Sequence, residues 1–111
     1  MSIEDRLADL GIDLPPVAKP VAAYVPAIQV GDQISTSGQL PLVSGSLPMT
    51  GLVGDQISQG DAAGQARVAA LNALAAAADV AGGVNNIRRV VRVVVYVAST
   101  ADFTAQPAVA N

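Results

Sequence analysis

The stretch NIRRVVRVVVYVAS, residues 86–99, is β-branched for most of its length and sets the terms for the rest of the chain. Side chains alternate across a strand, so Ile87, Arg89, Val91, Val93, Val95 and Val97 share one face. Arg88, Val90, Arg92, Val94, Tyr96 and Ala98 share the other. Both faces are apolar towards the C-terminal half, the pattern of a central strand covered on two sides. A cover is at hand in DAAGQARVAALNALAAAADVAGG. Asp61 reads as its N-cap, Val68, Leu71, Ala75 and Ala78 recur at helical spacing, and Gly82 and Gly83 stop it, which predicts a helix over 62–81. Its apolar stripe is mostly alanine, so the axis can come close to a sheet.

The N-terminal half supplies the other pieces. A short first helix is expected, with Ser2 as N-cap, Asp5 three residues on, Ile3, Leu7 and Leu10 on one face, and Gly11 as its end. It reads as peripheral, and with the extension that follows it occupies residues 1–20. Pro15, Pro16, Pro20 and Pro26 forbid a helix and leave an extended segment that passes into a strand at about 22–29, edge or bulged because of Pro26. Gly31 and Asp32 supply a turn, and 33–38 the return strand of a hairpin. Residues 41–60 are rich in glycine and proline without a sustained period, a long loop with one short strand near Leu52 and Val53. Ser99 or Thr100 can cap a last helix from Ala101, with Asp102 in its first turn. The chain then ends without a helix stop, and the strands in hand leave a sheet short of completion, so the reading is one domain over 1–111 that lacks C-terminal strands.

Composition narrows the chemistry. A chain of 111 residues has room for one domain and buries about 65% of its unfolded surface. With 51% hydrophobic and only 14% charged residues, it suits a small domain that covers part of its surface with copies of itself. There is no cysteine and no histidine, which removes disulfides, thiol nucleophiles, the usual zinc sites and histidine acid/base catalysis together. A net charge of −3 gives no footprint for nucleic acid, although Arg88, Arg89 and Arg92 cluster. The N-terminus MSIEDRLADLG has no cationic or apolar leader pattern, and no apolar run approaches the ~18 residues of a membrane span. A soluble, cytoplasmic protein without a nucleic-acid or membrane partner is expected.

A strand with Tyr24, a hairpin into STSGQLP, a Gly/Pro-rich loop, a helix carrying GQARVAALNAL, a long valine strand and an ADF start follow one another in that order. This arrangement resembles the Rid family, the reactive intermediate deaminases, also called the YjgF or endoribonuclease L-PSP family. The resemblance runs over residues 24–103, and its most specific parts are TSGQLP, the spacing of Tyr24 from Gly38, the QAR and LNAL helix, and VVVYV leading into ADF. It implies an α+β fold of the chorismate-mutase-like type, a mixed sheet packed by two helices on one face. It also implies a homotrimer with three clefts between subunits.

The implied reaction is hydrolysis of a reactive enamine or 2-imino acid to a keto acid and ammonia, with no cofactor or metal. The implied ligand is a small carboxylate or imino acid. Gly38 would present its main chain to the ligand, Ser37 a hydroxyl, and Tyr24 would close the cleft, so these three are the candidate substrate-binding residues. The alternative for SGQLP is a strand terminus with a β-bulge. Tyr96 reads as core or trimer contact more than ligand contact, Arg88, Arg89 and Arg92 as a solvated edge or intersubunit pair more than a carboxylate patch, and Asn72 as a structural hydrogen bond. The arginine and glutamate of the family's chemistry fall beyond Asn111, so no catalytic residue is assigned. A binding module without turnover is the competing function. RNA cleavage, suggested by the older family name, sits poorly with the lack of histidine and the negative charge.

Overall fold

The computed structural model describes residues 1–20 and 22–111. It begins with helix α1, Ile3–Asp9, whose Ser2 cap forms a full capping box with Asp5. The Ser2 amide, and then the Ser2 side chain, hold the Asp5 carboxyl below its ordinary value of 3.8. As expected the helix is peripheral: none of its residues is buried. It is tied to the 3₁₀ turn Val84–Asn86 by a reciprocal pair of bonds, from the Glu4 amide to Asn85 Oδ1 at 2.9 Å and from Asn85 Nδ2 to Glu4 Oε2 at 3.2 Å.

Strand β1, Ala27–Val30, and strand β2, Gln33–Thr36, form the predicted antiparallel hairpin, with Val30 opposite Gln33. A positive φ at Gly31 and not at Asp32 is the pattern of a tight two-residue turn that follows the strand twist. Both strands are shorter than expected. β1 starts only after Pro26, since a proline has no N–H for the ladder. One further bond, from the Ser37 amide to Pro26 O at 2.8 Å, prolongs the ladder, and Gly38 stands beyond it.

Helix α2, Gln59–Ala81, packs against both strands, the 3₁₀ turn and the last helix. Its C-terminus is the predicted one: Gly82 takes φ 82° and the Gly83 amide bonds back to Ala78 O at 2.8 Å. Its N-terminus is not. The cap is Ser58, whose hydroxyl accepts from the Asp61 amide at 3.1 Å, and Asp61 lies inside the first turn, where its charge favours the helix dipole. The last helix, α3, Gln106–Ala110, also starts later than expected. Thr100 is held by its amide on Val53 O and Ser99 by a bridge to Val53, so the chain turns at Ala101 and Asp102 before Pro107 favours a helical first turn.

The core lies at the N-terminal end of α2. Val53, Ile57, Ala62 and Val109 are buried together, with Met49, Ala66, Val97 and Phe103 packed against them. Where a short strand is expected in the long loop, near Leu52 and Val53, Val53 makes only isolated bridges to Ile57 and Ser99. Gly54 beside it has φ +98°, and a Cβ there would lie 2.7 Å from Thr100 Oγ1 and 3.3 Å from Phe103 Cβ. Gly54→Ala is therefore expected to cost about 1–2 kcal/mol, from the strained φ and the collision together. Thermal denaturation should show a Tm lower by several degrees, and an unchanged Tm would contradict this packing.

The largest departure from expectation is residues 87–98, which form no strand among the described residues; at their C-terminal end the Ala98 carbonyl accepts from the Val53 amide at 2.9 Å. The sheet among the described residues is two-stranded and antiparallel rather than mixed, within a small α+β fold. A strand exists through its partner's hydrogen bonds, and β-propensity alone does not provide one. Val90, Val91, Val93 and Val94 are exposed, and Tyr96, read as core or trimer contact, is 93% exposed in the single chain. No helix among the described residues is long and apolar enough to cross a membrane.

Candidate functional site

The TSGQLP stretch is held in place by a side chain far away in sequence. The Leu42 amide bonds to Leu40 O at 2.8 Å, closing a three-residue turn centred on Pro41, whose fixed φ suits that conformation. Asn72 of α2, only 2% exposed, donates Nδ2 to Leu40 O at 3.0 Å and to Leu42 O at 3.1 Å. The structural role expected of Asn72 is the one observed: it fixes the loop after β2 to the helix.

That clamp sets one wall of a shallow cleft that encloses only about 10 Å³. Tyr24, Ser37 and Gly38 all line it, so the structure brings the three candidate residues together. Lys19, Pro26 and Gln39 line it too. Tyr24 is 41% exposed and sits just after a tight bend closed by its amide on Ala22 O at 2.9 Å. Gln39 donates Nε2 to Ser37 Oγ at 3.2 Å, which directs the Ser37 hydroxyl proton away from Gln39.

Gly38 distinguishes the two readings of its stretch. Its φ lies outside the left-handed region, so the turn does not demand a glycine. A Cβ on it would meet nothing within 4 Å, so packing does not demand one either. Its amide has no hydrogen-bond partner among the described residues. A bulge with positive φ is thereby excluded.

The cleft's one cation among the described residues is Lys19, which sequence reasoning passed over; its only local signal is the following Pro20, which restricts where residue 19 can point. Arg88, Arg89 and Arg92 are exposed and line no part of it. No carboxyl side chain among the described residues lines it. A second, more open depression of about 500 Å³ runs between the Leu14 to Val17 segment and the last turns of α2, with Asp79 as its one charged group among the described residues. It offers no convergent polar atoms.

A family model described as "YjgF/chorismate mutase-like, putative endoribonuclease" matches residues 4–107. The chain belongs to that family. Protein TCP17 of Trypanosoma cruzi is 36% identical over 106 residues, which cover 96% of this chain and 66% of the relative. The solved structure of protein Atu1372 from Agrobacterium tumefaciens, of unknown function, matches this YjgF-family chain with a TM-score of 0.78 at 36% identity, covering 99% of it and 68% of that protein. A crystal structure of a "putative endoribonuclease" from Shewanella oneidensis MR-1 matches with a TM-score of 0.70 at 34% identity, over 76% of this chain and 56% of that one. The chain thus spans between about half and two thirds of the length of these YjgF-family relatives.

Proposed function

We propose that this cleft binds small 2-imino and 2-oxo acids and that the protein is a deaminase that hydrolyses the former. What carries the reading is Gly38: a glycine that neither φ nor packing requires, with an unpartnered amide, beside the Ser37 hydroxyl and under Tyr24. A main-chain N–H and a hydroxyl on adjacent residues of one cleft wall suit a carbonyl oxygen or carboxylate. In the reaction, water adds across the C=N bond to give a carbinolamine, and the C–N bond then breaks to leave a 2-oxo acid and ammonia. The chain's residues would bind and orient the substrate.

One observation favours the second reading, binding without turnover. Water attack is helped by a carboxyl group that takes and returns the proton, and no residue lining the cleft carries one. Ammonia release from a 2-imino acid generated in situ separates the two. Acceleration over the buffer rate, lost in a protein whose cleft is filled, supports the deaminase. Binding of the 2-oxo acid without acceleration supports the second reading, and neither would dismiss both.

We further propose that the protein assembles as a homotrimer through residues 90–95. The exposure of Val90, Val91 and Val93 in the single chain supports this, since apolar side chains in such a row call for a cover. Val93 is 70% exposed and takes no part in the chain's own core, so Val93→Asp should leave that core intact and disrupt assembly by placing a charge in a dry interface. Light scattering is expected to give a trimer for the native protein and a monomer for the variant. A trimer in both would show that Val93 lies outside any interface.

A further inference from the structure

We infer that Lys19 is the residue that selects for a carboxylate in this cleft, pairing with the acid group of the ligand while Gly38 and Ser37 receive its carbonyl or imine end. This rests on the reading of the cleft as a small-acid site and adds its specificity determinant.

Four observations converge on Lys19. It lines the same cleft as Tyr24, Ser37 and Gly38, although it lies eighteen residues before Ser37 in the chain. It is the one cation there among the described residues, and no aspartate or glutamate lines the cleft to neutralise it. No ion pair holds it elsewhere among the described residues. Its backbone is also restricted: a residue before proline is kept out of the helical region, and Pro15, Pro16 and Pro20 stiffen the segment that delivers it. A flexible four-carbon arm on a stiff support can set its ammonium over a ligand at the cleft mouth. The chain carries nine acidic and six basic groups, so an uncompensated positive charge facing a cleft is locally unlike the rest of the surface and attracts anions there.

Without Lys19 the described residues of the cleft offer only neutral donors, which bind a ketone about as well as a keto acid. With it, the acid is preferred, and the preference weakens with salt because the pair is solvent-exposed.

The test compares 2-oxobutanoate with its uncharged methyl ester on the full chain, by calorimetry or ligand-detected NMR, for the native protein, Lys19→Ala and Lys19→Arg. The native protein should bind the acid about tenfold tighter than the ester, through a charge-assisted hydrogen bond. Lys19→Ala should bring the acid down to the ester's affinity and abolish the salt dependence, leaving ester binding and Tm unchanged. Lys19→Arg should keep the preference for the acid. Equal binding of the acid by native protein and Lys19→Ala would overturn the assignment and leave the cleft standing. Equal loss of acid and ester in Lys19→Ala would reduce Lys19 to a structural role and also overturn it. Failure of the native protein to bind either compound would remove the cleft reading and this inference with it.

Discussion

Gly38→Val is expected to fold normally and to bind no 2-oxo acid. The two halves of that outcome have separate causes. Folding is spared because residue 38 is outside the left-handed region and the new side chain enters open space, with nothing within 4 Å of its Cβ. A β-branched residue suits a strand end. Binding is expected to be lost because the isopropyl group adds bulk at a residue that lines the cleft with Ser37 and Tyr24 and crowds the approach of a ligand oxygen to the Gly38 amide. In a shallow cleft the ligand cannot retreat from it without leaving its donors, so affinity should fall by about a hundredfold or more. Gly54→Ala provides the contrast, since there the chain itself fills the space and stability suffers. Calorimetry with 2-oxobutanoate and a thermal melt on the same sample check both halves. Retained binding with a lowered Tm would return SGQLP to chain geometry alone.

Asn72→Leu should be the most damaging single change to the fold. Leucine keeps the branching of asparagine but is larger, so at this buried position some overpacking adds to the loss of the amide. Leu40 O keeps its bond from the Leu42 amide, but Leu42 O loses its one donor among the described residues, and the turn at Pro41 loses its anchor to α2. Two hydrogen bonds removed, with one carbonyl left without a partner, amount to about 3 kcal/mol. For a domain of this size Tm should drop by roughly 10 °C or more. Amide exchange should quicken first at residues 38–42, because the released loop opens before the core does. A Tm within about 1 °C of the native value would show that the clamp contributes little.

What was legible in the sequence is what local hydrogen bonds decide. The capping box of Ser2 and Asp5, the hairpin turn at Gly31 and Asp32, and the stop at Gly82 and Gly83 each involve residues within a few positions of one another. Asp61 has the residue type of a cap, yet Ser58, three residues earlier, is the one that accepts from the Asp61 amide. Thr100 looked like a helix cap, but its amide is taken by Val53, some fifty residues earlier, which no local pattern announces. Residues 87–98 mark the limit most clearly. Alternating valines indicate a strand former, while the partner that would make it a strand is a nonlocal fact. The site divides in the same way. Tyr24, Ser37 and Gly38 were found through a motif, whereas Lys19 and the Asn72 anchor depend on the chain returning to itself.

The most direct measurement of the central claim is a titration of ¹⁵N-labelled protein with 2-oxobutanoate, followed amide by amide. The expected result is a saturable shift of the Ser37, Gly38 and Gln39 amides, with Tyr24 responding beside them and Ala75, Ala78 and Gly83 of the second depression unmoved. Shifts confined to that depression, or no saturable shift at residues 37–39, would contradict the claim that this strand end is where the protein binds its ligand.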